Sequence, residues 1–137
     1  MTADRDFLRL YRLGVELQKG QDKVFRLREN ARKPPSPSFE RTGTNGNRES
    51  KIENFIAAAD EQERKNIDLK TEYLFEWLRL ERYADTIEDA LTRIIFKARY
   101  IDGKTWVQVA RLLHGELTAD ACKRRIERLL KERSEKE

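Results

Sequence analysis

The chain has 137 residues, of which 38% are hydrophobic and 39% charged, with a formal net charge of +4. That is enough length for one domain or one domain with an extension, but too many charges for a thick globular core, so elongated helices laced with solvent are expected. No apolar run approaches the roughly 18 residues of a membrane span, no signal-peptide core is present, and one cysteine, Cys122, excludes an internal disulfide framework.

The first predicted element is a helix from about Ala3 to Ala31. Phe7, Leu10, Leu17 and Val24 recur along it at coiled-coil spacing, with Leu13 and Leu27 beside them, which predicts a helix–helix seam. Gly14 and Gly20 weaken this helix, and a bend is expected near Gly20. Residues 32–49 follow as a flexible connector: Pro34, Pro35, Pro37, Gly43 and Gly46 lie among Ser, Thr and Asn, with Phe39 the one large apolar group. From Arg26 to Lys51 there are seven basic and three acidic residues; a solvated linker is favoured over a phosphate-binding arm.

A second long helix is predicted from Ser50 to about Tyr83, opened by a Ser50–Glu53 capping box. Its ends are apolar (Ile52, Phe55, Ile56 and Ala59; then Leu69, Tyr73, Leu74, Trp77, Leu78 and Leu80), and its middle, Asp60 to Asn66, is polar. The two helices should pair antiparallel as a hairpin or coiled coil, whose thin seam could also join two copies of the chain.

Thr86 is expected to cap the first of three short helices, with Glu88 and Asp89 suiting its positive end. Asp102-Gly103 should end that helix, Thr105 cap a second over Trp106–Leu113, and Thr118 cap a third from Ala119 toward Arg133. Ile87, Leu91, Ile94, Ala98 and Ile101 have the spacing of one apolar face, and the expected core of the last two helices is Trp106, Val109, Ala110, Leu113, Cys122 and Ile126, with Trp106 as its anchor. The fold class is therefore all-α: an N-terminal helical hairpin over residues 1–84, a C-terminal three-helix helix-turn-helix unit over 85–133, and a frayed tail over 134–137.

The third helix carries the functional signal. Asp120, Lys123, Arg124, Arg125, Arg128 and Lys131, with Thr118 at its start, form a largely cationic face suited to phosphates and base edges in a major groove. No catalytic constellation is visible: the single histidine, His114, lies in a turn without a nucleophile beside it. The carboxylates Asp60, Glu61 and Glu63 lack a histidine and suit surface ion pairs better than a metal. Neither an enzyme, a cofactor nor a metal site is expected.

The run YIDGKTWVQVARLL followed by LTADACKRRIERLL resembles the helix-turn-helix of sigma-factor region four and of Myb-like units. Over nearly its whole length the chain resembles small phage- and prophage-encoded proteins of Gram-positive bacteria related to late-operon activators of the RinA and ArpU type. The signature residues are Arg99-Tyr100, Gly103, Trp106 and Val109-Ala110. The turn His114–Leu117 is longer than that of region four, which bears on how the third helix would dock. The resemblance implies a transcription regulator of late or packaging genes, in the cytoplasm of a bacterial host, that binds double-stranded DNA. Two alternatives share these features. One is a small-terminase-like protein recognising a packaging site; the other is an interaction module contacting RNA polymerase.

Overall fold

The computed structural model describes residues 7–32 and 45–136. Among these there are five α-helices and no strand: α1 (Arg9–Arg32), α2 (Asn45–Asp85), α3 (Ala90–Phe96, continued by a π turn over Lys97–Ile101), α4 (Trp106–Leu112) and α5 (Ala119–Lys136). The all-α class is as the composition predicts. No helix among the described residues is long and apolar enough to cross a membrane. Phe39 and most of the expected connector lie outside the described residues.

Several boundaries differ from expectation. α2 is already helical at Asn45, so Ser50 lies inside the helix and caps nothing. Thr86 is not an N-cap either: its hydroxyl donates to the Tyr83 carbonyl at 2.6 Å, closing the end of α2. The cap of α3 is Asp89, whose carboxylate accepts from the Thr92 backbone N–H. α5 stays helical through Lys136, past the point where the tail was expected to fray.

The described residues form two compact units. One comprises residues 13–32 and 45–72, where α1 and α2 run antiparallel. Arg28 meets Asp60 and Glu63, while Gly20, earlier in α1, meets Gln62 and Asn66, later in α2. Leu13 is buried and Leu17, Val24 and Leu27 half-buried, along the stripe the sequence shows. The carboxylates of the polar middle do act as ion-pair partners: Arg28 donates to Glu63 at 2.7 Å and to Asp60 at 3.2 Å. Those bonds push the Arg28 guanidinium further above its ordinary pKa, Glu63 contributing most. Gly20 has a packing reason rather than a bending one. A Cβ there would lie 2.1 Å from Asn66 Oδ1, an atom that accepts a hydrogen bond from Gln62 Nε2 at 3.0 Å.

The other unit comprises residues 7–12 and 73–136. It is wider than the expected 85–133 because the start of α1 and the end of α2 are part of it. Its core joins Phe7, Leu10, Leu80, Ala84 and Ile87 to Ile95, Phe96, Ala98 and Tyr100 of the third helix and its π turn, and to Val109, Leu113, Cys122, Ile126 and Leu130. The centre is aromatic. Phe7 stacks at 5.3 Å on Tyr83 and on Phe96 and at 5.4 Å on Tyr100, and Phe96 lies 5.0 Å from both tyrosines. Trp106, the expected anchor, is half-buried at the rim, its ring 6.5 Å from that of Tyr100. Ala110 is also half-buried, whereas Val109, Leu113, Cys122 and Ile126 are buried as expected.

Two further features complete this core. Glu76 is buried between Arg79 and Arg9, so its charge is paired where it is removed from water. After the π turn, Gly103 adopts a φ of +74° and an added Cβ would come within 3.3 Å of the Tyr11 ring, so the position suits glycine twice over.

Because Phe7 touches three other rings of this unit, Phe7→Ala should destabilise it by about 3–5 kcal/mol, the usual range for emptying a buried phenylalanine site. Chemical denaturation followed by the near-ultraviolet signal of the tyrosines and Trp106 would measure this. An unchanged midpoint would show that residues 7–12 are dispensable to the core.

Candidate nucleic-acid interface

Local chemistry fixes both ends of the α4–turn–α5 segment. Thr105 and Gln108 form a reciprocal capping box: the Gln108 N–H donates to Thr105 Oγ1 at 3.2 Å, and the Thr105 N–H donates to Gln108 Oε1 at 2.9 Å. At the far end His114 and Gly115 take φ values of +52° and +82° in succession, turning the chain sharply. Leu117 comes back onto the core, and Thr118 accepts from the Ala121 N–H at 3.1 Å, capping α5. Thr105, Gly103 and Thr118 thus hold the roles their sequence positions suggest. Thr118, counted among the expected DNA contacts, is exposed but already uses its oxygen as a cap.

α5 divides its side chains by direction. Cys122, Ile126 and Leu130 enter the core. Burial raises the Cys122 thiol above its ordinary pKa, with the Arg125 charge opposing the shift, so the thiol stays protonated and shielded at neutral pH. One edge of the helix is tied down. Arg125 donates to Asp89 Oδ2 at 2.9 Å and to Thr92 Oγ1 at 3.3 Å, and Arg133 lies over the Tyr83 ring at 4.6 Å and the Phe7 ring at 5.3 Å. Asp89 is therefore shared between the cap of α3 and the clamp on α5. Hydrogen bonds from the Thr92 hydroxyl and N–H, together with the Arg125 charge, hold its carboxyl below the usual carboxylate range.

The remaining direction faces solvent. Asp120, Lys123, Arg124, Arg128 and Lys131 are exposed, and none of their side chains makes a hydrogen bond or ion pair with any described residue. Five of the seven residues expected at the interface therefore form a free, mostly cationic face, while Arg125 is engaged in positioning and Thr118 in capping. Two features escaped the sequence reading. Arg111, exposed on α4, adds a cation outside α5. The Asp89–Arg125 clamp joins residues 36 positions apart, a pairing no local pattern announces. Among the described residues no group of histidine, cysteine and acidic side chains converges to hold a metal ion.

The Asp89 clamp has a pH signature. Its folded carboxyl is held below the unfolded value of about 3.9, so its contribution is complete above that pH and fades as pH falls below about 4. Asp89→Ala should therefore lower the melting temperature at pH 7, and the gap to wild type should close below about pH 4. A gap of constant size across that range would show that the carboxylate charge is not what holds α5.

No protein-family model, curated protein or solved structure matches the chain.

Proposed function

We propose that α4, its turn and α5 form a helix-turn-helix that binds double-stranded DNA, with α5 in the major groove, and that the chain is a transcription regulator of the phage late-operon kind its sequence resembles. The observation that carries this reading is the free face of α5. Lys123, Arg124, Arg128 and Lys131 are held on a helix whose opposite side is buried and whose edge is clamped, yet among the described residues no side chain pairs with them. Phosphate oxygens are the partners such a face fits, and a rigid helix about 10–12 Å across matches a major groove about 12 Å wide. The absence of a catalytic constellation in the sequence and the unpartnered side chains of α5 both favour a binding role over an enzymatic one.

Self-association through α2 is the accompanying reading. Leu74, Phe75, Trp77 and Leu78 are 51%, 70%, 40% and 37% exposed, an apolar set on one stretch of a helix otherwise rich in charge. A second copy of the chain covering them would give a two-fold regulator, whose recognition helices would enter successive major grooves about 34 Å apart.

Two measurements test these readings. In fluorescence anisotropy with a mixed-sequence duplex, affinity should fall with salt, at a log–log slope of roughly −2 to −4 if two to four of the α5 cations meet phosphates. Lys123→Ala should weaken binding about tenfold and flatten that slope by about 1, with the helical circular-dichroism signal intact. A duplex bound equally at low and high salt, or by Lys123→Ala as by wild type, would remove α5 from the interface. Sedimentation at micromolar concentration should give a dimer for wild type and a monomer for Phe75→Glu; a monomer for both would dismiss the α2 interface, and a ring of eight or more subunits would favour packaging over regulation.

A further inference from the structure

The exposed charges of α5 are not uniform. At about 100° per residue, Asp120, Arg124, Glu127 and Lys131 fall within one arc of about 60°, on the side of the helix away from Cys122 and Ile126. Lys123 and Arg128 lie about 70° to either side of the middle of that arc. The outward ridge therefore alternates in sign along its length, while over the first three turns of α5 its two shoulders are cationic; the exposed acids Glu132 and Glu135 follow only nearer the C-terminal end of the helix.

An alternating ridge commonly exists to form ion pairs along a solvated helix. Here it does not. Asp120 and Arg124, Lys123 and Glu127, and Glu127 and Lys131 all stand four residues apart, yet none of these pairs is made, whereas α2 does form such a pair between Glu61 and Lys65. Asp120 has a second reason for its place, since it lies in the first turn of α5, where a carboxylate suits the positive end of a helix. Glu127, two turns further on, has no such reason.

We infer that Asp120 and Glu127 are the sequence-discriminating residues of the DNA interface, accepting hydrogen bonds from cytosine amino groups in the major groove while Lys123 and Arg128 hold the two phosphate walls. This rests on the DNA-binding reading of α5 and extends it. A carboxylate beside a phosphate is repelled, so both acids must lie over the groove floor when the shoulders engage the backbones. On the floor, the group that suits a carboxylate is the exposed amino hydrogen of cytosine, as guanine O6 and N7 suit the Arg124 guanidinium between them. Asp120 and Glu127 are seven residues apart, about 10 Å along the helix and about three base-pair steps of 3.4 Å. The ligand class is thus a duplex site of about four base pairs, rich in G·C, with cytosines toward its two ends and a guanine between them.

Selection of bound duplexes from a random pool, using the full chain, tests this. Wild type should enrich such G·C sites. Because a glutamine amide matches adenine, Glu127→Gln should move the preference at one base pair from cytosine to adenine by about tenfold, and Asp120→Asn should do the same at the other end. Overall affinity for unselected DNA should rise in both variants, since each loses a negative charge. If wild type binds DNA with no base preference, or if both variants gain affinity equally for every sequence, the discriminating role falls while DNA binding by α5 stands. If wild type binds no duplex even at low salt, the DNA-binding reading falls and this inference with it. Glu127 is exposed and in mid-helix, so a fold defect cannot stand in for either result; the circular-dichroism spectrum of Glu127→Gln should overlay that of wild type.

Discussion

The aromatic cluster of Phe7, Tyr83, Phe96 and Tyr100 is the contact on which the C-terminal unit depends. α3 and α4 have seven residues each, far below the length at which a helix holds itself together in water. They persist because their apolar sides meet a shared core, and that core is closed by rings from just before α1 and from the end of α2. Phe7 is central to this arrangement, about 1% exposed and in contact with three other rings. The short helices of the candidate interface are thus supported by residues that lie, in sequence, at the opposite end of the protein.

Several parts of this were legible in the sequence, and for a common reason: they are local. Gly103 before a cap, Thr105 with Gln108 three residues on, and Thr118 ahead of an amphipathic run each report on backbone groups within a turn of themselves. The apolar stripe of α5 is a periodic signal of the same kind. What could not be read is what depends on distant partners. Phe7 and Leu10 fit a hairpin seam by spacing, and nothing in the spacing shows that they join Phe96 and Tyr100 instead. Gly20 looks like a weak point in α1 until Asn66 is brought against it. Thr86 and Asp89 are both good caps by residue type, and Asp89 holds the position that the Thr92 hydroxyl and Arg125 reinforce.

The candidate site was half legible in the same sense. Sequence alone places Lys123, Arg124, Arg125, Arg128 and Lys131 on one helix, but it does not separate the cations that hold the helix from those that are free. The structure does so through their partners. Arg125 meets a carboxylate and a hydroxyl of the α3 cap, and Arg133 lies over two rings. Their neighbours on the exposed side make no side-chain pairing with any described residue. A chain this rich in arginine and lysine cannot be judged by counting charges; each cation has a function only in terms of what faces it.

This division of arginines also accounts for how so charged a chain closes a core. Arg79 and Arg133 lie over Phe7, Arg133 over Tyr83 and Arg99 over Trp106, at 4.6–5.6 Å from the ring centres. A guanidinium is planar and weakly hydrated, so it can cover an aromatic face while keeping its edge in water. Rings at the rim of the core are thereby shielded without further apolar residues, which the composition does not supply. Lysine would not serve as well there, because a compact, strongly hydrated ammonium resists lying flat on a ring. The same property makes arginine the residue best able to meet phosphate and guanine with a paired set of donors. In this unit one side-chain chemistry takes two arrangements: stacked inward it seals a thin core, and turned outward on α5, at Arg124 and Arg128, it stays exposed with no partner among the described residues.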